Sequence, residues 1–166
     1  LRRSSTRVAG YGATINAYTY DTANRLATVG DGTNTANYTY LANSRLVSQI
    51  LYKQNSSTRM TTTKQYDALN RLSSIVSQPS ATNTAPFAFY YGHNDANQRT
   101  RIDNADGSYW VYTYDALGQV TSGKKYWSDG VPIEGQQNEY TYDDIGNRKT
   151  TKEGGNYLGQ NLRSAT

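Results

Sequence analysis

A short motif recurs along this chain and constrains its fold more than any other feature. It reads YTYDTANRL at residues 18–26, and a weaker copy without the tyrosine occupies residues 94–99. Four close copies stand at residues 38–46, 66–72, 112–120 and 140–148. Self-similarity with spacings of 20–28 residues is the signature of a repeat architecture, in which each copy is one structural unit that packs on its neighbours.

Each copy specifies a β-hairpin. The Tyr-Thr-Tyr segment favours a strand, and the next four residues read as a type I turn with Asp first and a left-handed Asn or Gly fourth. This turn makes a common three-residue hairpin loop, and it sets the Asp opposite the Arg four residues later. Turn stabilisation explains that spacing better than a catalytic or ligand-binding carboxylate does. The turn residues predicted in this way are Asp21, Asn24, Arg25, Asp67, Asn70, Arg71, Asp115, Gly118, Asp143 and Gly146.

Two copies fit this scheme less well. In the second copy Ser44 stands at the left-handed position, so we expect that turn to be the most strained or irregular. In the weak copy the same spacing predicts that Asp95 faces Arg99 across the strands. One residue outside the charged pairs, Tyr20 is predicted to lie opposite Leu26.

Composition favours an open all-β fold without helices. Hydrophobic residues make up 36% of the chain, and this figure includes 16 tyrosines, so there is little Leu, Ile and Val for a closed two-sheet sandwich. No apolar period of 3.6 residues is sustained. We therefore predict tandem hairpins in one continuous, coiling antiparallel sheet. This single segment covers residues 1–166, is clearest over residues 18–152, and has a poorly repetitive tail at residues 153–166.

Charge and cysteine content exclude several classes of protein. The net charge of +4 is spread thinly, so we expect neither a nucleic-acid stripe nor a basic membrane patch. There is no cysteine and hence no disulfide framework. No apolar run is long enough for a membrane span or a signal peptide. Residues 1–17 read like the interior of a longer protein.

Candidate catalytic or metal-binding groups are few, and ordinary structural roles explain them. His93 is the only histidine and is expected on a polar strand edge. The adjacent Asp143 and Asp144 are accounted for by their turn. Asp106 and Gly107 weakly resemble part of a calcium loop, together with Asp103, but a hairpin explains them equally well. The sequence therefore predicts a protein that is not an enzyme and that needs no cofactor or metal.

Aromatic residues support one alternative function, that of an extracellular carbohydrate-binding or adhesive repeat fibre. Exposed tyrosine and tryptophan rings suit the faces of sugars, and glycans are the partners that this interpretation predicts. Packing between neighbouring strands is the competing explanation. The predicted platform consists of Tyr109, Trp110, Tyr112, Tyr126 and Trp127.

The Tyr-Asp-x-x-Gly/Asn-Arg-Leu unit resembles the YD repeat of the RHS family, and the resemblance covers roughly residues 18–152. This family includes bacterial polymorphic toxins, the B and C components of insecticidal toxin complexes, and teneurins. The resemblance implies a β-sheet strip that spirals into a hollow shell, which in the toxin members encloses a C-terminal toxin. It also implies a secreted or cell-surface location.

The resemblance leaves one family feature without a counterpart. Family members cleave themselves at aspartates in an Asp-Pro-x-Gly context, and no Asp-Pro occurs in this chain, so no autoproteolytic residue is carried over. We therefore expect an interior slice of shell wall with two open edges. Its expected partners are adjacent repeats of the same protein or other copies of it, and an enclosed toxin.

Overall fold

A computed structural model describes residues 4–8 and 14–152 of the chain. By its internal contacts the chain divides into two compact units, Leu1–Ala88 and Phe89–Thr166. All regular structure in the described residues is β-strand, and every strand pair within a unit is antiparallel. The all-β prediction is therefore confirmed, and no helix occurs in the described ranges. In particular, they include no helix with the length and apolar character that a membrane crossing needs.

The first unit is a meander in which each strand pairs with the next one in sequence. The repeat turns join β2 to β3, β4 to β5 and β6 to β7. Shorter return turns, near Gly32 and Asn55, join the hairpins to one another. The strands are β1 (Ser5–Val8), β2 (Thr14–Tyr20), β3 (Leu26–Gly30), β4 (Asn34–Tyr40), β5 (Val47–Gln54), β6 (Ser57–Tyr66) and β7 (Leu72–Pro79).

The second unit repeats this plan from β8 to β13. Repeat turns follow β8, β10 and β12, and return turns with Gly107 and Gly130 in the left-handed conformation follow β9 and β11. The strands are β8 (Phe87–His93), β9 (Arg99–Asn104), β10 (Tyr109–Tyr114), β11 (Val120–Tyr126), β12 (Pro132–Tyr142) and β13 (Arg148–Lys152).

The strand β12 contains a bulge that a buried glutamine supports. The register with β11 shifts between Lys124 and Tyr126, and Gly135 has a φ of 74°. Gln137 is 2% exposed, and its amide donates to the carbonyl oxygens of Lys125 and Ile133. The side chain thereby satisfies backbone acceptors that a regular ladder would have paired.

The sheets have almost no conventional core. Among the described residues, the buried hydrophobic side chains are those of Ile50, Ala88 and Ile133 alone. Most other strand residues are half-buried. Stability must therefore come from contacts between adjacent strands rather than from a second packed layer.

Candidate functional site

The repeat turn is a compact hydrogen-bonded unit centred on its first residue. In the first copy the Asn24 N–H donates to the Asp21 carbonyl oxygen at 3.0 Å, and Asn24 has a φ of 63°. The Asp21 N–H donates to the carbonyl oxygen of Arg25 at 2.9 Å and closes the loop. The Asp21 carboxylate accepts the backbone N–H of Arg25 at 2.8 Å and its Nε–H at 2.7 Å. One aspartate thus holds both the backbone and the side chain of the arginine.

The same geometry recurs in three further copies. The N–H of the fourth residue donates to the carbonyl oxygen of the first at 2.9 Å for Asp67, 3.1 Å for Asp115 and 3.0 Å for Asp143. The fourth residues, Asn70, Gly118 and Gly146, all have positive φ. Backbone N–H donation, chiefly from the residue four positions on, lowers the pKa of Asp21, Asp67 and Asp143. The Asp67–Arg71 ion pair, at 2.6 Å, matches that of Asp21 and Arg25.

The weak copy is shifted by one residue from the predicted alignment. The N–H of Asn94, not that of Asp95, donates to the carbonyl oxygen four residues on, that of Gln98, and Asn97 is left-handed with a φ of 60°. The predicted pairing of Asp95 with Arg99 is therefore wrong. Asn94 replaces the aspartate because its amide oxygen accepts the Gln98 N–H at 3.0 Å. His93 then occupies the position of the repeat tyrosine and lies opposite Arg99.

The second copy is irregular, as predicted, but Ser44 is not its left-handed residue. Asn43 has the positive φ, of 53°, and the loop closes one residue later, with the Leu41 N–H donating to the Leu46 carbonyl oxygen. The extra residue lets asparagine take the conformation that serine resists. The Ser44 hydroxyl instead accepts the N–H of Leu46 at 3.0 Å.

In four of the repeats, the tyrosine before the turn connects that repeat to the preceding one. The acceptor lies in the strand that directly follows the turn of the preceding repeat. The tyrosine hydroxyl donates to the backbone carbonyl oxygen of the first residue of that strand. We call this contact the inter-repeat tyrosine bond. Within the described residues it joins Tyr40 to Leu26 at 2.8 Å, Tyr66 to Val47 at 2.9 Å, Tyr114 to Arg99 at 2.6 Å, and Tyr142 to Val120 at 2.7 Å.

These bonds share one register although the intervening loops differ in length. The bonded residues are 14, 19, 15 and 22 positions apart in sequence. In all four cases, the residue two positions after the acceptor lies opposite the residue three positions before the tyrosine. The four opposed pairs are Thr28 and Asn37, Gln49 and Thr63, Arg101 and Val111, and Ser122 and Glu139. Loop insertions therefore leave the packing between repeats unchanged.

The fifth residue of the turn also reaches the next repeat. The Nη1 of Arg25 donates to the Ser44 carbonyl oxygen at 2.5 Å, and the guanidinium lies 4.4 Å from the centroid of the Tyr40 ring. In the second unit, a Cβ added to Gly118 would lie 3.2 Å from the Nε2 of Gln98. Glycine at this position thus serves both the left-handed turn and the close approach of a neighbouring side chain.

Alternation along the strands sorts the motif onto two faces. The tyrosine face carries both tyrosines of each Tyr-Thr-Tyr segment, and these residues are half-buried. In the first copy Tyr20 lies opposite Leu26, as predicted. The threonine face carries the intervening threonine, which is exposed. On that face, hydroxyls pair across strands, as between Thr19 and Thr28 at 2.6 Å and between Thr141 and Thr150 at 2.6 Å.

The five aromatic residues of the predicted glycan platform lie on both faces. Trp110 and Tyr112 belong to the tyrosine face and stack with centroids 6.1 Å apart. Tyr109 and Tyr126 lie opposite each other on the threonine face and stack at 5.3 Å. Trp127 begins a return turn, and its buried Nε1 has no hydrogen-bond partner among the described residues.

An open groove of about 450 Å³ lies on the tyrosine face of the second unit. Half of its eight lining residues are aromatic, namely Trp110, Tyr112, Tyr114 and Tyr140, and Arg99 also lines it. Burial raises the pKa of Tyr112, so its hydroxyl stays protonated and can donate. Of the five predicted platform residues, only Trp110 and Tyr112 line this groove.

Carboxylates that could suggest chemistry are already engaged in the structure. Asp143 accepts the N–H of Asn147 at 2.8 Å, and Asp106 accepts the N–H and the hydroxyl of Ser108. Asp103 pairs with Arg101 at 2.7 Å. Within residues 4–8 and 14–152, no group of three or more His, Asp or Glu side chains is placed to hold a metal ion. The geometry of these carboxylates is suited to joining strands.

The sequence did carry a signal for the inter-repeat tyrosine bond, although it was missed. The chain has 16 tyrosines and two phenylalanines. Ring burial alone would not require this excess of tyrosine over phenylalanine, because phenylalanine buries a ring equally well. The excess of hydroxylated rings before the turns indicates that the hydroxyl has a partner.

Tandem turns of this kind, connected by tyrosines and built into an antiparallel meander, define a class of β-repeat proteins. Residues 93–130, which include two of the turns, match the family model described as RHS Repeat. This match agrees with the resemblance of the motif to the RHS repeat. No curated protein matches the sequence significantly.

Solved structures of toxin complexes resemble the fold. A structure described as TcdB2-TccC3-Cdc42 matches with a TM-score of 0.51 and 11% identity, over 92% of this chain and 10% of the other. A second, TcdB2-TccC3-TEV, matches with a TM-score of 0.46 and 12% identity, over 98% of this chain and 10% of the other. The chain thus spans about a tenth of the length of either structure, and the first likeness supports the fold alone.

Proposed function

We propose that this chain forms part of the wall of an RHS-type β-sheet shell, as a structural scaffold. The observation that carries the proposal is the inter-repeat tyrosine bond, which repeats with one register in both units. A unit that binds its neighbours identically, whatever the length of its loops, can extend a sheet repeat by repeat. The fold shared with part of the TcdB2-TccC3-Cdc42 structure supports this function.

The proposal extends to the location of the shell and to its contents. By analogy with the toxin complexes, the intact protein would be a secreted or surface protein of bacteria whose shell encloses a C-terminal toxin. Its partners would be adjacent repeats and that cargo. Glycan binding is not the function that we propose, because the five aromatic residues that suggested it do not form one platform.

A closed shell makes the two faces of its wall unequal, and this can be measured. Thr150 and Thr151 are adjacent and both exposed, and they lie on the threonine and tyrosine faces respectively. Thr150→Cys and Thr151→Cys would be made separately in the intact protein, in a background without other cysteines. We expect a large poly(ethylene glycol) maleimide to modify only one of them until the protein is unfolded.

A small maleimide on the unfolded protein serves as the control for intrinsic reactivity. Equal modification of both cysteines by the large reagent in the folded protein would contradict a closed shell. That result would favour an open strip or fibre, in which both faces contact solvent.

A further inference from the structure

The strand β13 has an open edge. It pairs with β12 on one side, and all five of its residues are exposed. Within residues 4–8 and 14–152, no strand pairs with its other side. Such an edge presents a row of backbone N–H and C=O groups that can pair with another strand.

Arg148 occupies the position of an acceptor in the inter-repeat tyrosine bond. The four acceptors described above are the first residues of β3, β5, β9 and β11, the strands that follow repeat turns. Arg148 is likewise the first residue of β13, directly after the turn of Asp143. The Asp143 N–H points to the β13 side of β12, so by alternation Thr141 does too and forms a hydrogen-bonded pair with Thr150. The N–H of Thr151, the next residue, therefore points to the same open side as the Arg148 carbonyl oxygen, because a bulge lies between Arg148 and Thr150.

We propose that β13 receives the first strand of a further YD hairpin, whose tyrosine donates to the Arg148 carbonyl oxygen. The register described above then places Thr150 opposite the residue three positions before that tyrosine. The occupant follows from continuity, because the same edge is covered in this way at four earlier positions. This inference rests on the proposed function, since a shell wall continues from repeat to repeat.

Charge also favours a strand like β12 as the occupant. Glu139, three positions before Tyr142, forms an ion pair at 2.6 Å with Lys124, which lies four positions after the acceptor Val120. Lys152 stands at the equivalent position of β13, four after Arg148. A strand with a glutamate three positions before its tyrosine would therefore meet a lysine again.

The test adds one repeat to the chain. A copy of residues 134–152 is appended after Thr166. In sequence, the copied Tyr142 is then somewhat further from Arg148 than Tyr142 is from Val120, from which it is separated by 22 positions. Loop closure entropy grows slowly with length, so this distance is tolerable. Amide hydrogen exchange of Thr151 is then followed by NMR, with Thr150 as an internal control because its N–H points toward β12.

We expect the added repeat to slow exchange of the Thr151 amide about tenfold or more, with Thr150 changing less. A second version, with phenylalanine in place of the copied Tyr142, should lose most of this protection. Unchanged exchange at Thr151, or equal slowing with phenylalanine, would overturn the proposal. So would a concentration-dependent dimer of the original chain in which Thr151 is already protected, because a second copy would then cover the edge.

The outcomes separate this inference from the shell itself. Slowed exchange at Thr151, combined with equal modification of the cysteines at positions 150 and 151, would retain the docking edge and refute the closed shell. Unequal modification of these cysteines without slowed exchange would retain the closed shell and refute the docking edge.

Discussion

Single residues in the repeat turn each meet a specific physical requirement. Asp67 accepts the N–H groups of Leu69 and Arg71 and the Nε–H of Arg71, at distances of 2.6–2.9 Å. Asn70 supplies the left-handed backbone, with a φ of 60°. Leu69, at the third position, contributes only its backbone N–H, and the residue is 65% exposed. The turn therefore depends on its first, fourth and fifth residues.

Replacing Asn70 with valine tests the left-handed position. A β-branched side chain resists positive φ, so Asn70→Val should lower the free energy of unfolding by about 1–2 kcal/mol in urea titrations. Asn70→Gly is the control and should remain close to the original chain, because glycine adopts this backbone without strain. Equal stabilities for the valine and glycine variants would show that the conformation has no energetic importance.

The carboxylate of Asp67 predicts a dependence of stability on pH. Hydrogen bonds from Arg71 lower the pKa of Asp67 in the folded chain. A lowered folded pKa contributes stability above the unfolded value of about 3.9, and this contribution is lost as pH falls through the folded pKa. Stability of the original chain should therefore fall more steeply below about pH 4 than that of Asp67→Asn. Urea titrations from neutral pH to pH 2 measure both slopes, and identical slopes would contradict the assignment.

At the scale of elements, consecutive hairpins are coupled by a hydroxyl and a carbonyl that are far apart in sequence. The ring of Tyr40 is half-buried on the tyrosine face, and its hydroxyl bonds Leu26 in the preceding hairpin. Burial raises the pKa of Tyr66, which keeps the equivalent hydroxyl of that residue protonated and able to donate. Ring packing by itself would tolerate sliding of one hairpin along the next. The hydrogen bond adds a directional constraint to that packing.

Tyr40 and Tyr38 offer a matched comparison, because they lie two residues apart on the same face of β4. Tyr40→Phe removes the donor to Leu26 and should cost about 1 kcal/mol of folding free energy. Tyr38 has no hydroxyl partner in the described part of the chain, so Tyr38→Phe should cost clearly less. Thermal and urea unfolding of both variants provide the measurement. A similar loss in both would mean that the hydroxyl bond adds nothing to ring packing.

At the scale of the whole molecule, stability is distributed over neighbouring strands. With so few buried hydrophobic side chains, each hairpin depends on the ladder and the ring contacts that it shares with adjacent hairpins. Repeats joined in this way tolerate insertions in the loops, because the register of packing is set by the strands. This property suits a wall that must be long and continuous.

Much of the local structure was predictable from sequence, and the failures have a physical cause. The turns at Asp21 and Asp67 follow from contacts within five residues, so residue type alone identifies them. The weak copy was misaligned by one position because Asn94 can replace aspartate as an acceptor, while Asp95 supplied a misleading charge. The loop at Ser44 was misassigned because one extra residue moves the left-handed position to Asn43.

The sequence by itself determined the hairpin, its turn type, the all-β class and the resemblance to RHS repeats, because these depend on short-range geometry and on recurrence. Only the tertiary structure decided which carbonyl each tyrosine meets, which aromatic residues share a face, and which strand edge stays unpaired among the described residues. Those features join residues 14–22 positions apart through strand register. A shift of one residue in pairing would exchange the two faces, and local composition does not specify that choice.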